Sequence, residues 1–359
     1  MLPKLAEEFD TSVSAAAIVM TTYAFAYAAS LLLQGPLGDR YGKLRVVTIG
    51  MALAGIASLG CAVAWDTPSL AVMRLATGMF ASASVALGLA YIGDVVALGE
   101  RQATIAHFIA GSMLGQMLGP LAGGALTDWI GWRGSFDVLG VVFLCVAAVL
   151  LVRTRANWPA APGAPLRPLA VYRDLWSLTA MRWLLAVGVA ETFFFFGAFA
   201  FLGAFLKTRF DASFTTLGLV LAGYGLGGLA FSFTAGAFIR RLGERGMVLA
   251  GGAIGAVLFL AIVLAPDLSW TLPCTVGLGL AFYLIHNTIQ AKATEVAPQA
   301  RGSAVALYAA GWALGQALGV GAVGLAVAAL GYAPAIVACG LGFGLLGFWL
   351  RANLHRLKP

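Results

Sequence analysis

The chain has 359 residues, of which 61% are hydrophobic and 10% are charged, and its mean hydropathy is +0.92. Soluble domains carry roughly 25% charged and 45–50% apolar residues, so this composition excludes a water-soluble protein. The net charge of +7 does not indicate nucleic-acid binding, because the basic residues are sorted into alternate loops and form no single basic surface.

Eleven apolar segments are long enough to cross a membrane, since a spanning helix needs about 20 residues to cover roughly 30 Å of hydrocarbon. They lie at 15–38, 46–65, 68–92, 103–127, 134–153, 179–206, 213–238, 247–265, 269–291, 302–328 and 331–350. Alternation with a period of two residues is absent, and only helices or closed barrels satisfy the backbone in lipid. The predicted fold class is therefore an all-α integral membrane protein.

The 22 lysines and arginines set the expected orientation, because most of them fall in one set of alternate loops. Loops rich in lysine and arginine stay in the cytoplasm, so the carboxyl terminus is expected there. Eleven helices then put the amino terminus outside, although the first residues, with Glu7 and Glu8, show no signal-peptide pattern.

The chain repeats itself at an offset of 200 residues: 111–124 reads GSMLGQMLGPLAGG and 311–324 reads GWALGQALGVGAVG. The turn starting at Gly35 has a weaker echo starting at Gly236, one residue out of register. Two copies in the same orientation predict two helical bundles related by an axis along the membrane normal. The second copy contains six predicted helices and the first only five, so we expect a first helix to be missing, through truncation or a late start codon.

The predicted organisation has four parts. They are an N-terminal bundle (1–153), a proline- and arginine-rich cytoplasmic linker (154–178), a C-terminal bundle (179–351) and a cytoplasmic tail (352–359). The four cysteines lie far apart in apolar segments, which fits small core residues better than a disulfide framework or a metal site. No metal and no cofactor are expected.

Several motifs resemble those of the major facilitator superfamily. GPLGDRYGKLR at 35–45 resembles the signature between the family's second and third helices, Arg74 with Gly78 resembles the arginine motif of its fourth helix, and WRGSF at 132–136 is similar to its WRxxF. The GxxxGPxxGG motif of the drug:proton antiporter branch is matched by Gly115, Gly119, Pro120, Gly123 and Gly124. This resemblance covers nearly the whole chain and implies a 6+6 bundle fold of the drug- and sugar-efflux kind.

The resemblance also implies an inner latch between the two bundles. It comprises Gly35, Asp39, Arg40, Gly42, Lys43 and Asp94. Asp39 is expected to face the amino end of the helix beginning near Gly302, where the helix dipole favours an anion, and Lys43 is expected to pair with Asp94. Arg240 replaces Asp39 in the second copy, so the latch is expected to be one-sided. The glycines of the turn are expected to let the chain reverse tightly.

The glycines of helix 103–127 lie four residues apart, at Gly111, Gly115 and Gly119, and therefore on one face. Small residues allow close helix approach, so a packing role is expected for them. Pro120 removes a backbone hydrogen bond and should bend the helix. By resemblance, this bend helps to seal the site against leakage.

Glu191 is the one acidic residue near the middle of a predicted span. Ionisable residues are costly there, so we expect Glu191 to couple protons or bind a cation. A static partner for a polar neighbour is the alternative. Arg74 is the matching cation, to which the resemblance gives proton transfer or substrate anchoring. The structural alternative is an arginine that snorkels to the outer interface.

The expected substrate cavity is aromatic. It comprises Tyr23, Tyr27, Gln116, Phe195, Phe199, His286 and Asn287. Tyr23 and Tyr27 lie on a polar stripe with Ser30 and Gln34, while Phe195 and Phe199 lie one and two turns from Glu191. His286 is either a hydrogen-bonded core histidine or a proton carrier. Aromatic rings with one carboxylate suit amphiphilic, cationic compounds better than sugars.

These features predict a monomeric secondary transporter of the bacterial inner membrane that exports a small amphiphilic compound in exchange for protons. Its partners are that compound, protons and membrane lipid. Uptake by proton symport and an inactive truncated chain remain open alternatives. HExxH, GxSxG and paired intramembrane carboxylates are absent from the sequence, which disfavours an enzyme. GxxxxGK[ST] is absent too, which disfavours an ATP-driven pump.

Overall fold

The computed structural model describes residues 2–96, 98–158, 168–297 and 301–357, and at some helical positions, Asp39 among them, it describes the backbone alone. Within these ranges the regular elements are helices. The α-helices are α1 (Leu2–Glu8), α2 (Val13–Ala16), α3 (Ile18–Tyr41), α4 (Lys43–Ala62), α5 (Thr67–Ala81), α6 (Ala83–Val95), α7 (Leu98–Thr154), α8 (Pro168–Ser177), α9 (Thr179–Phe210), α10 (Phe214–Leu264), α11 (Thr271–Glu295), α12 (Arg301–Leu330) and α13 (Tyr332–Asn353).

Nine helical segments of the described ranges are long and apolar enough to cross a membrane. Two of them lie in α7, with 57 residues, and α10, with 51. A continuous helix of 57 residues would be about 86 Å long, far more than the roughly 30 Å of hydrocarbon. Gly131 in α7 and Gly243 in α10 have positive φ angles of 77° and 62° and interrupt them. Each of the two helices therefore contains two spans, which gives the eleven predicted crossings.

The reversal within α7 is visible in side-chain distances. Thr127 and Ser135 are eight residues apart, a separation of about 12 Å along a straight helix. Their hydroxyl oxygens nevertheless lie 3.4 Å apart. The chain therefore folds back at Gly131, and helices 98–130 and 132–154 run in opposite directions.

The internal repeat is present in the backbone. Four glycines of the described residues have positive φ, and they form two repeat pairs: Gly131 and Gly331 at 77° and 83°, and Gly42 and Gly243 at 91° and 62°. Residues with a Cβ rarely adopt this region, whereas glycine enters it without steric cost. Each pair therefore marks the same tight turn in the first half (1–153) and the second half (179–351).

The helix ends are set by local signals. At the start of α5, the backbone N–H of Ser69 donates to the Asp66 side chain at 2.8 Å, and the Ser69 hydroxyl accepts from the Asp66 N–H at 3.2 Å. This reciprocal capping box satisfies backbone donors that have no partner inside the helix. The hydrogen bonds from Ser69 also hold the pKa of the Asp66 carboxyl below its ordinary value.

The second half is closely packed around glycines and aromatic rings. A Cβ atom at Gly315 on α12 would overlap Thr192 and Val189 of α9, and one at Gly319 would overlap the Phe193 backbone. Small residues let these two helix backbones approach closely. Helix α9 thus lies along the glycine face of α12.

The corresponding face in the first half is open. At Gly111, Gly115 and Gly119, no described atom lies within 4 Å of the place that a Cβ would take. The packing role predicted for these three glycines is therefore not present in this structure. Further along the same helix, by contrast, a Cβ at Gly124 would overlap the Phe214 backbone.

Candidate functional site

The predicted ion pair of the inner latch is present. The Lys43 Nζ atom lies 2.5 Å from Asp94 Oδ2, with Lys43 mostly buried and Asp94 half exposed. Gly42, with its φ of 91°, lets α4 begin directly after α3. The pair joins α4 to the end of α6, however, and both helices belong to the first half. By itself it therefore does not connect the two bundles.

The structure gives the positions of Gly35 and Arg40, two further residues of this motif. Gly35 lies inside α3 with helical neighbours on both sides, so the tight turn predicted for it is formed by Gly42 alone. The Arg40 guanidinium lies over the Tyr41 ring, 5.3 Å from its centroid. The predicted contact of Asp39 with the helix near Gly302 lies outside the described side chains.

The second half contains a charge-reversed counterpart that sequence reasoning missed. The Lys292 Nζ atom, 5% exposed, lies 2.7 Å from Glu244 and 3.1 Å from Glu295. Glu244 follows Gly243 as Lys43 follows Gly42. The repeat points to Glu244 as the counterpart of Lys43, but the charge there is reversed and the partner Lys292 is not at the repeat position of Asp94.

Arg74 lies against aromatic rings. Its guanidinium carbon is 4.0 Å from the centroid of Tyr23 and 5.6 Å from that of Phe136, which is the geometry of a cation–π contact. Arg74 also lines an open cavity of about 650 Å³ together with Gly119, Pro120 and Gly123. Among the described residues, no acidic side chain forms an ion pair with Arg74.

The antiporter motif lies partly along this cavity and partly against the second half. Gly119 and Gly123 face the open space. A Cβ at Gly124 would overlap the Phe214 carbonyl, and one at Gly218 would overlap that of Pro120. Glycine at these two positions therefore lets helices 98–130 and 214–242 approach at backbone distance, and this approach joins the two halves. Pro120 lies within α7. The backbone of this helix departs from helical φ and ψ at Gly131 and not at Pro120.

Glu191 lies at the centre of a cluster that three helices build. Its side chain, from α9, is fully buried. The Nδ1 atom of His286 on α11 lies 3.2 Å from Glu191 Oε2, and the Tyr308 hydroxyl on α12 lies 3.4 Å from the same nitrogen. Within the described residues, Glu191 Oε1 has no hydrogen-bond partner. The imidazole therefore engages one carboxylate oxygen, and the Tyr308 hydroxyl lies close to the same cluster.

Aromatic neighbours fix the imidazole ring. Phe282 stacks on His286 with a centroid distance of 5.0 Å and an interplanar angle of 16°. The Trp312 ring lies 6.1 Å away, and its buried Nε1 has no described acceptor. Thr192, beside Glu191, donates to the Trp312 carbonyl at 2.7 Å. Sequence reasoning missed Tyr308 and Trp312, although their four-residue spacing puts both on one face of α12.

The structure corrects the position of Phe195. The side chain is fully buried, with ring centroids of Phe259, Phe282 and Phe343 at 5.6, 4.7 and 5.3 Å. It belongs to the core of the second half, because α10, α11 and α13 surround this face of α9. Phe199 stacks on Phe195 at 5.9 Å and is partly buried.

The remaining predicted cavity residues divide between two places. Gln116 from the first half accepts a hydrogen bond from the Tyr283 hydroxyl of the second half at 3.1 Å. Asn287 is partly buried on α11 beside His286. Tyr23 lies against Arg74 inside the first half, and its ring centroid is 6.1 Å from that of Tyr27. The expected single cavity is therefore two clusters, one around Arg74 and one around Glu191.

The polar stripe of α3 faces protein. Gln34 is buried, and its Nε2 donates to the Ser82 hydroxyl at 2.9 Å and to the Met79 carbonyl at 3.4 Å. At Gln34 the stripe therefore packs against the junction of α5 and α6.

Comparison with known sequences places these observations in a family. The sequence model of the Major Facilitator Superfamily matches residues 1–213 and 192–359. The transporter EfpA of Mycobacterium tuberculosis, called an uncharacterized MFS-type transporter, is 36% identical over 157 residues. That match covers 43% of this chain and 29% of EfpA, so the chain spans less than a third of EfpA's length.

Two other relatives align over most of the chain. The uncharacterized MFS-type transporter YceJ of Bacillus subtilis is 24% identical over 362 aligned positions, which cover 99% of this chain and 90% of YceJ. The chloramphenicol resistance protein of Pseudomonas aeruginosa is 28% identical over 311 residues, or 83% of this chain and 70% of that protein. The similarity thus extends through both halves.

Proposed function

Because this chain belongs to the Major Facilitator Superfamily, a family of membrane transporters, we propose that it exports a small amphiphilic organic compound in exchange for protons. The observation that carries the proton part is the fully buried Glu191, with His286 Nδ1 at 3.2 Å. Export is favoured by relatives such as the chloramphenicol resistance protein and by the antiporter motif at 115–124.

The Glu191 cluster is suited to holding a proton on either of two groups. An ionised Glu191 accepts a hydrogen bond from Nδ1–H of His286. A protonated Glu191 donates to Nδ1 when the imidazole carries its hydrogen on Nε2. Both arrangements fit the same distance of 3.2 Å. Because a charge in hydrocarbon is costly, loading or releasing the proton changes the energy of the buried cluster, and the protein can use that change to shift between conformations.

The substrate class follows from the same surroundings. Aromatic rings of Phe282 and Trp312 flank the cluster, and Glu191 Oε1 accepts no described hydrogen bond. Rings attract a cation through their negative faces, and one carboxylate suits one positive group. A compound with an amine or quaternary ammonium and an apolar body fits this chemistry.

Alternating access places the transported compound between the halves. Gln116 and Tyr283 meet there, one from each half. We place the protein in a bacterial inner membrane with the carboxyl terminus in the cytoplasm, because the lysine- and arginine-rich loops then lie inside. Rocking of one bundle against the other would open the site to each side in turn.

The test is cellular accumulation of cationic dyes, chloramphenicol, other antibiotics and sugars, with and without a protonophore. Cells would carry the unchanged chain, Glu191→Gln, or the control Glu7→Gln, which alters an exposed acid of α1. We expect the unchanged and control forms to keep out at least one cationic compound until the protonophore is added, and Glu191→Gln to admit it.

Two results would contradict this proposal. Equal exclusion by Glu191→Gln, with similar amounts of protein in the membrane, would remove Glu191 from proton coupling. Increased accumulation of any compound in cells with the unchanged chain would favour uptake by symport.

A further inference from the structure

Asp128 connects the two halves at one end of the molecule. It lies near the end of helix 98–130, in the first half, and its carboxylate accepts three hydrogen bonds from the start of α10, in the second. The donors are the Thr215 N–H at 2.6 Å, the Thr215 hydroxyl at 2.7 Å and the Phe214 N–H at 3.2 Å. The first N–H groups of a helix have no partner inside it and attract negative charge.

This contact differs from an ordinary helix cap. Helix α10 already has its own cap, since the Ser213 hydroxyl accepts from the Thr216 N–H at 3.1 Å. Asp128 supplies a second cap that comes from the other bundle. Hydrogen bonds to an ionised group are roughly twice as strong as those between neutral groups. The carboxylate therefore stabilises the closed position of the two halves as well as the helix start.

Below Asp128 the two helices are in backbone contact. A Cβ at Gly124 would overlap Phe214, one at Gly218 would overlap Pro120, and one at Gly225 would come within 2.6 Å of Met117. We call these three approaches the outer seam, because they lie in the half of the membrane nearest the predicted outer surface. Asp128 closes its solvent end.

Water and neighbouring charges reach the contact. Asp128 is exposed. The Lys4 Nζ atom donates to the Thr127 carbonyl at 3.0 Å, while Lys207 forms an ion pair with Asp211 at 2.8 Å. Both lysines lie over the Phe214 ring, 5.2 and 5.7 Å from its centroid. Because water can replace exposed hydrogen bonds, this contact can break and reform.

We propose that Asp128 is an outer latch: it holds the two halves together at the outer end, and it must release α10 before the transporter opens to that side. This proposal rests on the proposed function in one respect only, the movement of the two halves relative to each other. The latch does not depend on which compound is carried or on proton coupling.

The first test measures opening without any substrate. Met117→Cys, with the four native cysteines replaced by alanine, places a thiol in the outer seam. A membrane-impermeant maleimide is added outside intact cells. Asp128→Ala should label about fivefold faster or more, the factor that roughly 1 kcal/mol of lost stabilisation gives. Thr215→Val, which removes one donor, should give a smaller increase, and Asp137→Ala, an exposed acid on helix 132–154, should give none.

Unchanged labelling in Asp128→Ala, with normal protein levels in the membrane, would overturn the latch. Labelling from inside-out vesicles alone would overturn its assignment to the outer side. If Asp128→Ala fails to reach the membrane, the labelling rates of Thr215→Val and Asp128→Asn are compared with that of the protein with an unchanged latch instead. This measurement stands even if no exported compound is found.

The second test locks the latch. Asp128→Cys with Thr215→Cys is oxidised in cells that export a compound identified as above. A disulfide should stop export and prevent labelling of the seam by the maleimide. Reduction with dithiothreitol should restore both export and labelling. Continued export with the disulfide formed would show that the halves need not separate here. If export is never found with the unchanged chain, the labelling arm alone decides the latch.

Discussion

Lys43 and Glu244 stand at corresponding positions of the two halves and have opposite charges. Lys43 forms an ion pair with a residue near the end of α6, and Glu244 forms one with a residue near the end of α11. Lys43 pairs with Asp94 at 2.5 Å and Glu244 with Lys292 at 2.7 Å. Each follows a glycine with positive φ. The charge at this position has therefore been reversed between the repeats, and the partner has moved as well: Asp94 corresponds to Glu295, whereas Glu244 pairs with Lys292.

Exchanging the charges of the first pair tests this relationship. Lys43→Glu should lower the melting temperature of the purified protein because two carboxylates then face each other, and Asp94→Lys added to it should restore most of the loss. The effect of the single change should be about 1 kcal/mol, since partly exposed pairs contribute at most roughly that amount. The control is Arg173→Glu, whose pair with Asp174 is 84% and 75% exposed and should matter little. A double variant as unstable as the single one would contradict a direct ion pair between residues 43 and 94.

Proton release reports directly on the Glu191 cluster. Adding an exported cation to the unbuffered, purified protein should release protons, because a bound cation favours the ionised carboxylate. Glu191→Gln should abolish the release, and His286→Ala should reduce it, since the imidazole shares the proton at 3.2 Å. Glu7→Gln should behave as the unchanged protein. Undiminished proton release from Glu191→Gln would assign the proton to another group.

The hydrogen bond between Gln116 and Tyr283 offers a test of communication between the halves. Gln116→Ala and Tyr283→Phe should each slow export by about three- to tenfold, as expected for the roughly 0.5–1.5 kcal/mol of a neutral hydrogen bond. The double variant should be no worse than either single one, since both remove the same contact. Gln316→Ala, at the repeat position of Gln116, is the control. Additive losses would mean that the two side chains act separately.

The fold could be predicted from the sequence because membrane spans are long and uniform. The eleven apolar segments, the turn at Gly42 and the repeat at 200 residues each left a local pattern. Glu191 was found for the same reason, since an acid within an apolar run is conspicuous. The pairing of Lys43 with Asp94 was found through the family motif.

Contacts between helices distant in sequence left no such pattern. Tyr308 and Trp312 reach the Glu191 cluster through the packing of α12 against α9, which neither segment encodes alone. Phe195 was expected along a cavity and is buried in the core, because its spacing from Glu191 gives the angle around α9 but not what covers that face. Glu244 and Lys292 were missed because Glu244 has the opposite charge to Lys43, and because Lys292 does not stand at the repeat position of Asp94.

The two glycine faces provide a final, matched prediction. Gly315→Ala should destabilise the protein by roughly 1–3 kcal/mol, the usual cost of overpacking a closely packed site, because the new Cβ would overlap Thr192 and Val189. Its amount in the membrane should fall accordingly. Gly115→Ala, at the same repeat position, should be neutral or stabilising by up to about 1 kcal/mol, since alanine is the better helix former and no described atom lies near. Membrane levels and melting temperatures of the two variants measure the difference. Equal losses would mean that another helix packs on the glycine face of α7 in the membrane, as α9 packs on that of α12.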